Sequence, residues 1–432
     1  MPSSNPGFLK ITVPVALSYF GIMLLGTVDL ILVGRLGPAA QGAVGVGTSI
    51  FAWFLVFGIG LLSSMDYLVS VAFGAGRRED AVTLLIQAVW LSLVVGIPFS
   101  FLLWMGAPMM AKLGLTPEVT PLAESYLRTL ALSLWPVYGF AAARNYLQAI
   151  HRVWEALALL ILANGLNYWL NLSLIPQLGV DGSAWATVVS RYFMALALLG
   201  VAAFHARTAL SGKKAQWRLK LRTQIDFLKI GVPAALQSTA EVGVFALSTL
   251  IAARFSSEAL AAHQIVLNLA SMTFMVPLGI GTAAAVSVGF FLGRREPALA
   301  RHQGWFALKA TLTFMAFTAT LFVIQGKSLL GFYSNNPEVL KLAFPALMVA
   351  AFFQLSDGTQ TVLTGALRGG GDTQGPFIAN LWGHWLLGLP LGLLLGFHFK
   401  LGILGVWLGL ATGLTCVALR LIRIWRLRSQ SF

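Results

Sequence analysis

The chain has 432 residues, of which 57% are hydrophobic and only 10% are charged, whereas soluble domains carry roughly 25% charged residues. This composition excludes a soluble globular fold, and the apolar stretches that recur from end to end exclude intrinsic disorder. The net charge of +14 does not indicate a nucleic-acid partner, because the basic residues lie in gaps between apolar runs and form no patch interleaved with aromatic residues. The sequence therefore predicts an integral membrane protein.

The apolar runs set the number of predicted membrane spans. A spanning helix needs about 20 predominantly apolar residues. Because no run alternates as a barrel strand would, an all-α fold is predicted. The first run, at about 24 residues, is too long for a cleaved signal and is predicted to remain as a helix. The twelve runs are approximately residues 11–34, 44–73, 83–110, 121–147, 156–177, 182–205, 228–253, 259–292, 303–326, 339–366, 375–398 and 402–425.

Lysine and arginine predict the orientation of these spans. One set of connections is strongly basic and includes Arg77, Arg78, Arg152, Arg207, Lys213, Lys214, Arg218, Lys220, Arg222, Arg294, Arg295, Arg301, Arg368, Arg420, Arg423, Arg426 and Arg428. The opposite set holds only Arg35, Lys112, Arg254, Lys327, Lys341 and Lys400. By the positive-inside rule, both termini of this multi-pass protein are predicted to face the cytoplasm, in the plasma (inner) membrane.

The chain also repeats itself. Four short motifs each occur twice in the chain. They contain Pro14, Arg35, Gly76 and Pro117, and their second copies lie 219, 219, 217 and 220 residues further on. Six spans per repeat give both halves the same orientation, related by an axis along the membrane normal, as in alternating-access transporters. The predicted domains are an N-terminal lobe at residues 1–206, a basic cytoplasmic linker at 207–226 and a C-terminal lobe at 227–432.

Three acids lie well inside the apolar runs: Asp29 in the first, Glu241 in the seventh and Asp357 in the tenth. An ionisable group in a membrane span costs about 2.5 to 3.5 kcal/mol, so each is a candidate functional residue. A carboxylate in such a place must bind a proton or a cation such as Na⁺. The alternative for each is a carboxylate that locks helices together by pairing with a neighbour, and this alternative is favoured for Asp66.

The fifth and sixth runs carry further polar groups. Asn164, Asn167 and Asn171 are spaced three and four residues apart and share one helix face, and Thr187 and Arg191 do the same on the next helix. These residues are predicted to form a polar pocket with Asp29 as its only acid; the alternative for each asparagine is an amide that only hydrogen-bonds between packed helices. Arg191 is expected to approach Asp29 in at least one conformational state; the alternative is that its side chain reaches the membrane surface or a cytoplasmic cleft.

Other signals are weaker. Cys416 is the only cysteine, no His/Cys cluster has zinc spacing, and the glycine-rich segment at 369–373 lacks the lysine of a phosphate-binding loop. No cofactor is therefore predicted. His263 and His384 are expected to be packing residues.

Several motifs resemble the multidrug and toxic compound extrusion (MATE) family, in particular its NorM-type branch. They are the segment 228–233 leading to Glu241, the segment 261–268 (AAHQIVLN), and Asp357 followed by the segment 365–369 (GALRG). The resemblance covers essentially the whole chain. It implies two six-helix lobes in a V shape and export of cationic amphiphilic drugs in exchange for Na⁺ or H⁺.

The resemblance also implies roles for individual residues. Asp29 matches the family's aspartate in the first helix, Asn167 and Asn171 match polar positions of the fifth, and Thr187 matches a threonine of the sixth. Glu241 and Asp357 match the C-terminal acids that the NorM-type branch uses for cation binding. Some members have an aspartate where this chain has Asn171, which leaves open the lobe that holds the coupling ion.

The sequence thus predicts a monomeric secondary antiporter, in contact with membrane lipid, that exports amphiphilic cations. Its Na⁺ candidates are Asp29, Glu241 and Asp357. A lipid or lipid-linked flippase of related fold is an alternative, although acids in the cleft argue against it. An intramembrane enzyme is a more remote alternative, because no nucleophile, histidine pair or metal motif accompanies the acids. A channel would need rings of charges or carbonyls that the sequence lacks.

Overall fold

A computed structural model of the chain describes residues 6–112, 114–210 and 217–432, and almost all of these residues are helical. The helices are α1 Pro6–Gly34, α2 Pro38–Leu62, α3 Met65–Gly74, α4 Arg78–Gly106, α5 Val119–Ala131, α6 Leu134–Ala149, α7 Trp154–Leu178, α8 Val180–Ala209, α9 Leu221–Ala253, α10 Ser257–Gly293, α11 Pro297–Gly331, α12 Pro337–Gly369, α13 Gln374–Asn380, α14 Leu389–Leu393 and α15 Gly402–Arg428. Strands are absent from the described ranges. The predicted all-α membrane fold is confirmed.

Eleven helical segments within the described residues are long and apolar enough to cross a membrane. The remaining predicted run, 121–147, folds as the two shorter helices α5 and α6. They are separated at Leu132 and Ser133, where the Ser133 hydroxyl donates to the Leu130 carbonyl at 2.6 Å. A serine hydroxyl that bonds to the nearby backbone in this way competes with the regular helical ladder. The fourth predicted span is therefore helical but interrupted.

The helix ends follow the internal repeat. The ends of α1 and α9, residues 34 and 253, are 219 positions apart, and so are the starts of α4 and α11 at residues 78 and 297. The halves differ in continuity, however. α2 and α3 are separated at Ser63 and Ser64 and α5 and α6 at Ser133, whereas the equivalent helices α10 and α12 are each unbroken.

The N-terminal unit, Leu9–Ala235, is one of two compact units of the chain. It includes the start of α9, because a side chain at Gly231 would overlap the Leu61 carbonyl and one at Gly60 would overlap the Ala235 backbone. It also contains the described second part of the basic linker, residues 217–226. Gln87 Nε2 donates to the Arg218 carbonyl at 2.8 Å.

The C-terminal unit consists of residues 6–8 together with Leu236–Phe432. Its helices α10 and α12 approach very closely, because a side chain at Gly365 would overlap the backbone of Gly281. Glycines that admit a neighbouring backbone are a common device for helix packing in membranes. This contact holds the helix that carries Asp357 against α10.

The eleventh span is irregular. Between α13 and α14 the chain forms a π-helical stretch, Leu381–Gly388, and a second one, Leu394–His398, follows α14. π-helical turns are rare and occur frequently at functional sites. In this span they follow Asn380 and contain His384, two polar residues that belong to the site described next.

Candidate functional site

The acid of the N-terminal unit, Asp29, lies near the end of α1 and is 3% exposed. Asn171 Nδ2, from α7, donates to Asp29 Oδ1 at 2.7 Å, and Thr187 Oγ1, from α8, donates to Asp29 Oδ2 at 2.5 Å. Both carboxylate oxygens thus accept a hydrogen bond from a neutral donor. The structure brings together three of the residues that the sequence places in one pocket.

The amides on α7 divide into two groups. Asn164 donates to the Gly21 carbonyl at 3.1 Å and so joins α7 to α1. Asn167 and Asn171 are fully buried, and Asn167 Oδ1 accepts from Asn171 Nδ2 at 3.2 Å. Asn167 Nδ2 and Asn171 Oδ1 are buried without a hydrogen-bond partner among the described residues. One donor and one acceptor beside Asp29 are therefore available to a ligand or to water.

Arg191 lies on the same helix as Thr187 but turns to other partners. Its Nη1 donates to Ser133 Oγ at 2.7 Å, and its guanidinium carbon lies 4.7 Å from the centre of the Phe51 ring. No ion pair joins Arg191 to Asp29 among the described contacts, although the two charges interact electrostatically. The prediction that they meet in another conformational state stays a prediction.

The acids of the C-terminal unit have a different environment. Glu241, on α9, is partly buried. Its Oε1 accepts from Gln360 Nε2 at 3.1 Å, and its Oε2 lies 3.5 Å from the donor Asn380 Nδ2. His384 Nε2 lies 3.2 Å from Gln360 Oε1, so one amide links the histidine to the acid.

Asp357, on α12, is 7% exposed and makes no hydrogen bond or ion pair with any described residue. Asp357 lies within electrostatic reach of Glu241, so negative charge on one of these carboxyl groups disfavours negative charge on the other. Two interacting acids that share a dehydrated site cannot both stay charged without a positive partner. The C-terminal site therefore needs a cation or a proton more than the N-terminal one does.

Sequence reasoning missed several of these residues. Gln360 and Asn380 were not singled out, and His384 was interpreted as a packing residue. Their signal was present, because Asn380 and His384 are four residues apart in an apolar run and Gln360 lies one helical turn after Asp357. Ser133, which accepts a hydrogen bond from Arg191, gave no signal, because the two residues are 58 positions apart and meet only between helices.

The donor set of both sites is made of oxygens and neutral amides. Among the described residues no group of three or more His, Cys, Asp or Glu side chains could hold a metal ion. A transition-metal centre is therefore not indicated by these residues, whereas carboxylate and amide oxygens suit a hard cation.

Known proteins resemble the chain over its whole length. The sequence profile of the MatE family matches residues 14–173 and 233–394. The probable multidrug resistance protein NorM of Brucella suis biovar 1 (strain 1330) is 32% identical, with 97% of this chain and 92% of that protein aligned. The multidrug resistance protein NorM of Burkholderia vietnamiensis is 33% identical, with 98% and 94% aligned.

Solved structures share the fold. A eukaryotic MATE transporter, AtDTX14, superposes with a TM-score of 0.87 at 20% identity, covering 98% of this chain and 97% of that one. An outward-facing multidrug resistance MATE transporter of the MOP superfamily gives a TM-score of 0.91 at 18% identity, covering 98% and 96%. With the profile match over more than half of its residues, the chain belongs to the MatE family, as its motifs predicted.

Proposed function

We propose that this protein is a multidrug efflux transporter that exports cationic amphiphilic drugs or toxins in exchange for Na⁺ or H⁺ by alternating access. It binds and moves small molecules and is not an enzyme. The proposal is supported by the names of its relatives, which are multidrug resistance proteins. We place it in the plasma (inner) membrane with both termini in the cytoplasm, as the distribution of Lys and Arg predicts.

One observation carries the proposal. Asp29, Glu241 and Asp357 make no ion pair with Lys or Arg among the described residues, and their hydrogen-bond donors are neutral amides and a hydroxyl. A buried carboxylate without a positive partner is unstable as an anion. A mobile cation, either the coupling ion or the positively charged substrate, supplies the missing charge.

We assign the coupling cation to Glu241 and Asp357. Their mutual repulsion is relieved when one Na⁺ or proton binds, and Asp357 has no protein donor that would do the same. Asp29, with the unused amide groups of Asn167 and Asn171 beside it, is assigned to the cationic part of the substrate. Thr187 and Arg191 complete this pocket as a donor and a nearby positive charge. Coupling follows if occupation of one site disfavours occupation of the other.

The test is efflux of a fluorescent amphiphilic cation from vesicles that contain the purified protein. Na⁺ and H⁺ gradients are imposed separately. We expect one or both gradients to drive efflux, and we expect Asp29→Asn, Glu241→Gln and Asp357→Asn each to lower its rate about tenfold or more. Glu338→Gln is the matched control, because Glu338 is an exposed carboxylate at the start of the helix that carries Asp357.

Each outcome has a clear meaning. An efflux rate that changes with neither gradient would refute antiport. Normal efflux in all three variants would refute the assignment of the acids. Movement of lipid that depends on its headgroup, without dye efflux, would favour the flippase alternative.

A further inference from the structure

A cavity of about 280 Å³ lies within the N-terminal unit, and none of the site residues described above lines it. It is formed where the α3–α4 and α6–α7 connections meet the end of α8. This is the membrane face that the Lys and Arg distribution predicts to be cytoplasmic. Its polar lining includes Arg78, Tyr146, Arg152 and His205, and its apolar lining includes Phe73 and Ile150.

Tyr146 presents its hydroxyl to the cavity. The residue is only 1% exposed, it lines the cavity, and its hydroxyl makes no hydrogen bond to any described residue. The oxygen is not among the fully buried unpaired atoms of the described residues, so it is open to the cavity that the residue lines. A polar ligand or water in the cavity would complete it.

The charge of the lining selects the kind of ligand. The Arg78 guanidinium forms no ion pair with the described residues. Arg152 Nη1 and His205 Nε2 lie 3.8 Å and 3.5 Å from the same oxygen, Glu155 Oε1. Arg78 and Arg152 thus bring two guanidinium groups to the lining, and Glu155, which contacts Arg152 and His205, is one carboxylate beside them. The first turn of α4 also carries Glu79 and Asp80, and Asp80 pairs with Arg77 at 3.2 Å, so the cavity's attraction for an anion depends on Arg78 and Arg152.

We propose that this cavity binds a phosphate group, with Arg78 and Arg152 holding its oxygens and the Tyr146 hydroxyl donating to one of them. Guanidinium groups match phosphate geometry through paired donors. The volume lies just below the range of about 300–1,000 Å³ for pockets of drug-sized ligands, which suits a headgroup or a small phosphate. The phosphate can come from an anionic phospholipid or from free phosphate, and Phe73 and Ile150 offer an apolar wall to the former.

The internal repeat shows that this lining is not a consequence of the fold. A spacing of 220 residues places Ala366, Asp372 and Trp425 opposite Tyr146, Arg152 and His205. The two turns have the same backbone form, because His151 and Gly371 both have a positive φ, of 63° and 81°. Asp372 receives Arg428 at 3.1 Å. The C-terminal unit thus uses the same turn with the opposite charge and no tyrosine.

The test is binding to the purified full-length chain in an uncharged detergent, measured by calorimetric titration. Two probes are used: inorganic phosphate, and monomeric short-chain phosphatidylglycerol. We expect Arg78→Gln and Arg152→Gln each to weaken binding about tenfold, because each removes a charge-assisted hydrogen bond. We expect Tyr146→Phe to weaken binding about threefold to tenfold, because it removes a hydrogen bond from a neutral donor. Glu155→Gln, which removes the competing carboxylate, is expected to tighten binding.

The controls separate this site from general attraction. Tyr146→Phe removes an atom without a protein partner, so its thermal stability should match that of the parent chain. Arg295→Gln changes an exposed arginine on the corresponding connection of the C-terminal unit and should not affect binding. A lipid probe that binds more tightly than phosphate assigns the site to a headgroup, and equal binding assigns it to free phosphate.

The proposal is overturned if neither probe binds, if Tyr146→Phe and Arg78→Gln bind as the parent does, or if Arg295→Gln weakens binding equally. The measurement involves no transport. A failure of the proposed antiport would therefore leave this result unaffected.

Discussion

Asp29 and Asp357 are both buried aspartates on long helices, yet the structure provides for them differently. Asp29 accepts hydrogen bonds from Asn171 and Thr187 through both of its oxygens. Asp357 makes no hydrogen bond with a described residue and lies near a second acid, Glu241. The same type of side chain thus has neutral hydrogen-bond donors in one unit, whereas in the other unit it has no donor among the described residues and a second acid nearby.

If the protein exchanges a cation for its substrate as proposed, this difference indicates a separate role for each unit. Donors that already point at a carboxylate stabilise its negative charge and make it a lasting attraction for a positive substrate. Two acids that repel each other bind a small cation or proton strongly, because one positive charge relieves the repulsion. Four predictions test this division, from the largest expected effect to the smallest.

The largest effect is expected for Glu241→Gln. This change removes the charge of one of the two repelling acids, so the affinity of the site for the coupling cation falls. We expect the stimulation of efflux by a Na⁺ or H⁺ gradient to fall about a hundredfold, which corresponds to roughly 3 kcal/mol of lost charge interaction. The measurement is efflux with and without each gradient.

Asp29→Asn provides the contrast for that experiment. It should weaken binding of the substrate while the remaining slow efflux still responds to the gradient. If Asp29→Asn abolishes the response and Glu241→Gln keeps it, the roles of the two units are reversed.

Thr187→Val is expected to lower substrate affinity about tenfold. It keeps the shape of the side chain but removes the donor to Asp29 Oδ2, and a hydrogen bond to a charged group contributes about 1.5–3 kcal/mol. Substrate binding to the purified variant measures the effect. Thr27→Val is the matched control on the helix of Asp29, because the Thr27 hydroxyl only returns to the Met23 carbonyl of its own helix. Equal losses in both variants would contradict a specific role for Thr187.

Arg191→Gln is expected to lower efflux severalfold and to displace its pH profile. The guanidinium interacts electrostatically with Asp29 without pairing with it, so its removal changes the charge balance of the N-terminal site. Efflux measured across a range of pH tests this. Arg191→Lys keeps the charge and should keep the profile. An unchanged profile in Arg191→Gln would refute the proposed link between Arg191 and Asp29.

Ser133→Ala should have the smallest effect, about twofold to threefold on efflux. Arg191 loses the acceptor at 2.7 Å but keeps its contact with Phe51, which contributes about 0.5–2 kcal/mol. Ser173→Ala is a suitable control, because the Ser173 hydroxyl is exposed and donates only to its own helix. A loss as large as that of Arg191→Gln would show that Ser133 holds Arg191 in its working position.

The candidate site could be predicted in part from spacing alone. Asn167 and Asn171 lie one helical turn apart, as do Thr187 and Arg191, and the structure places three of these four in one network around Asp29 or beside it. The periodicity of a helix determines which of its residues share a face, whatever the rest of the fold. Residues that meet only across helices gave no such signal. Gln360, Asn380 and His384 surround Glu241 although 119 to 143 positions separate them from it in the chain.

The sequence by itself determined the membrane class, the helical architecture and the repeat. These depend on apolar length and on the need of the backbone to satisfy its own hydrogen bonds in lipid, which are properties of each segment. The tertiary structure decided where helices break, which partner each charge receives and where a cavity remains. Ser133 lies in the break between α5 and α6, and Arg191 donates to it instead of pairing with Asp29. The Tyr146 hydroxyl faces a cavity. These outcomes depend on side chains brought together by packing between distant segments.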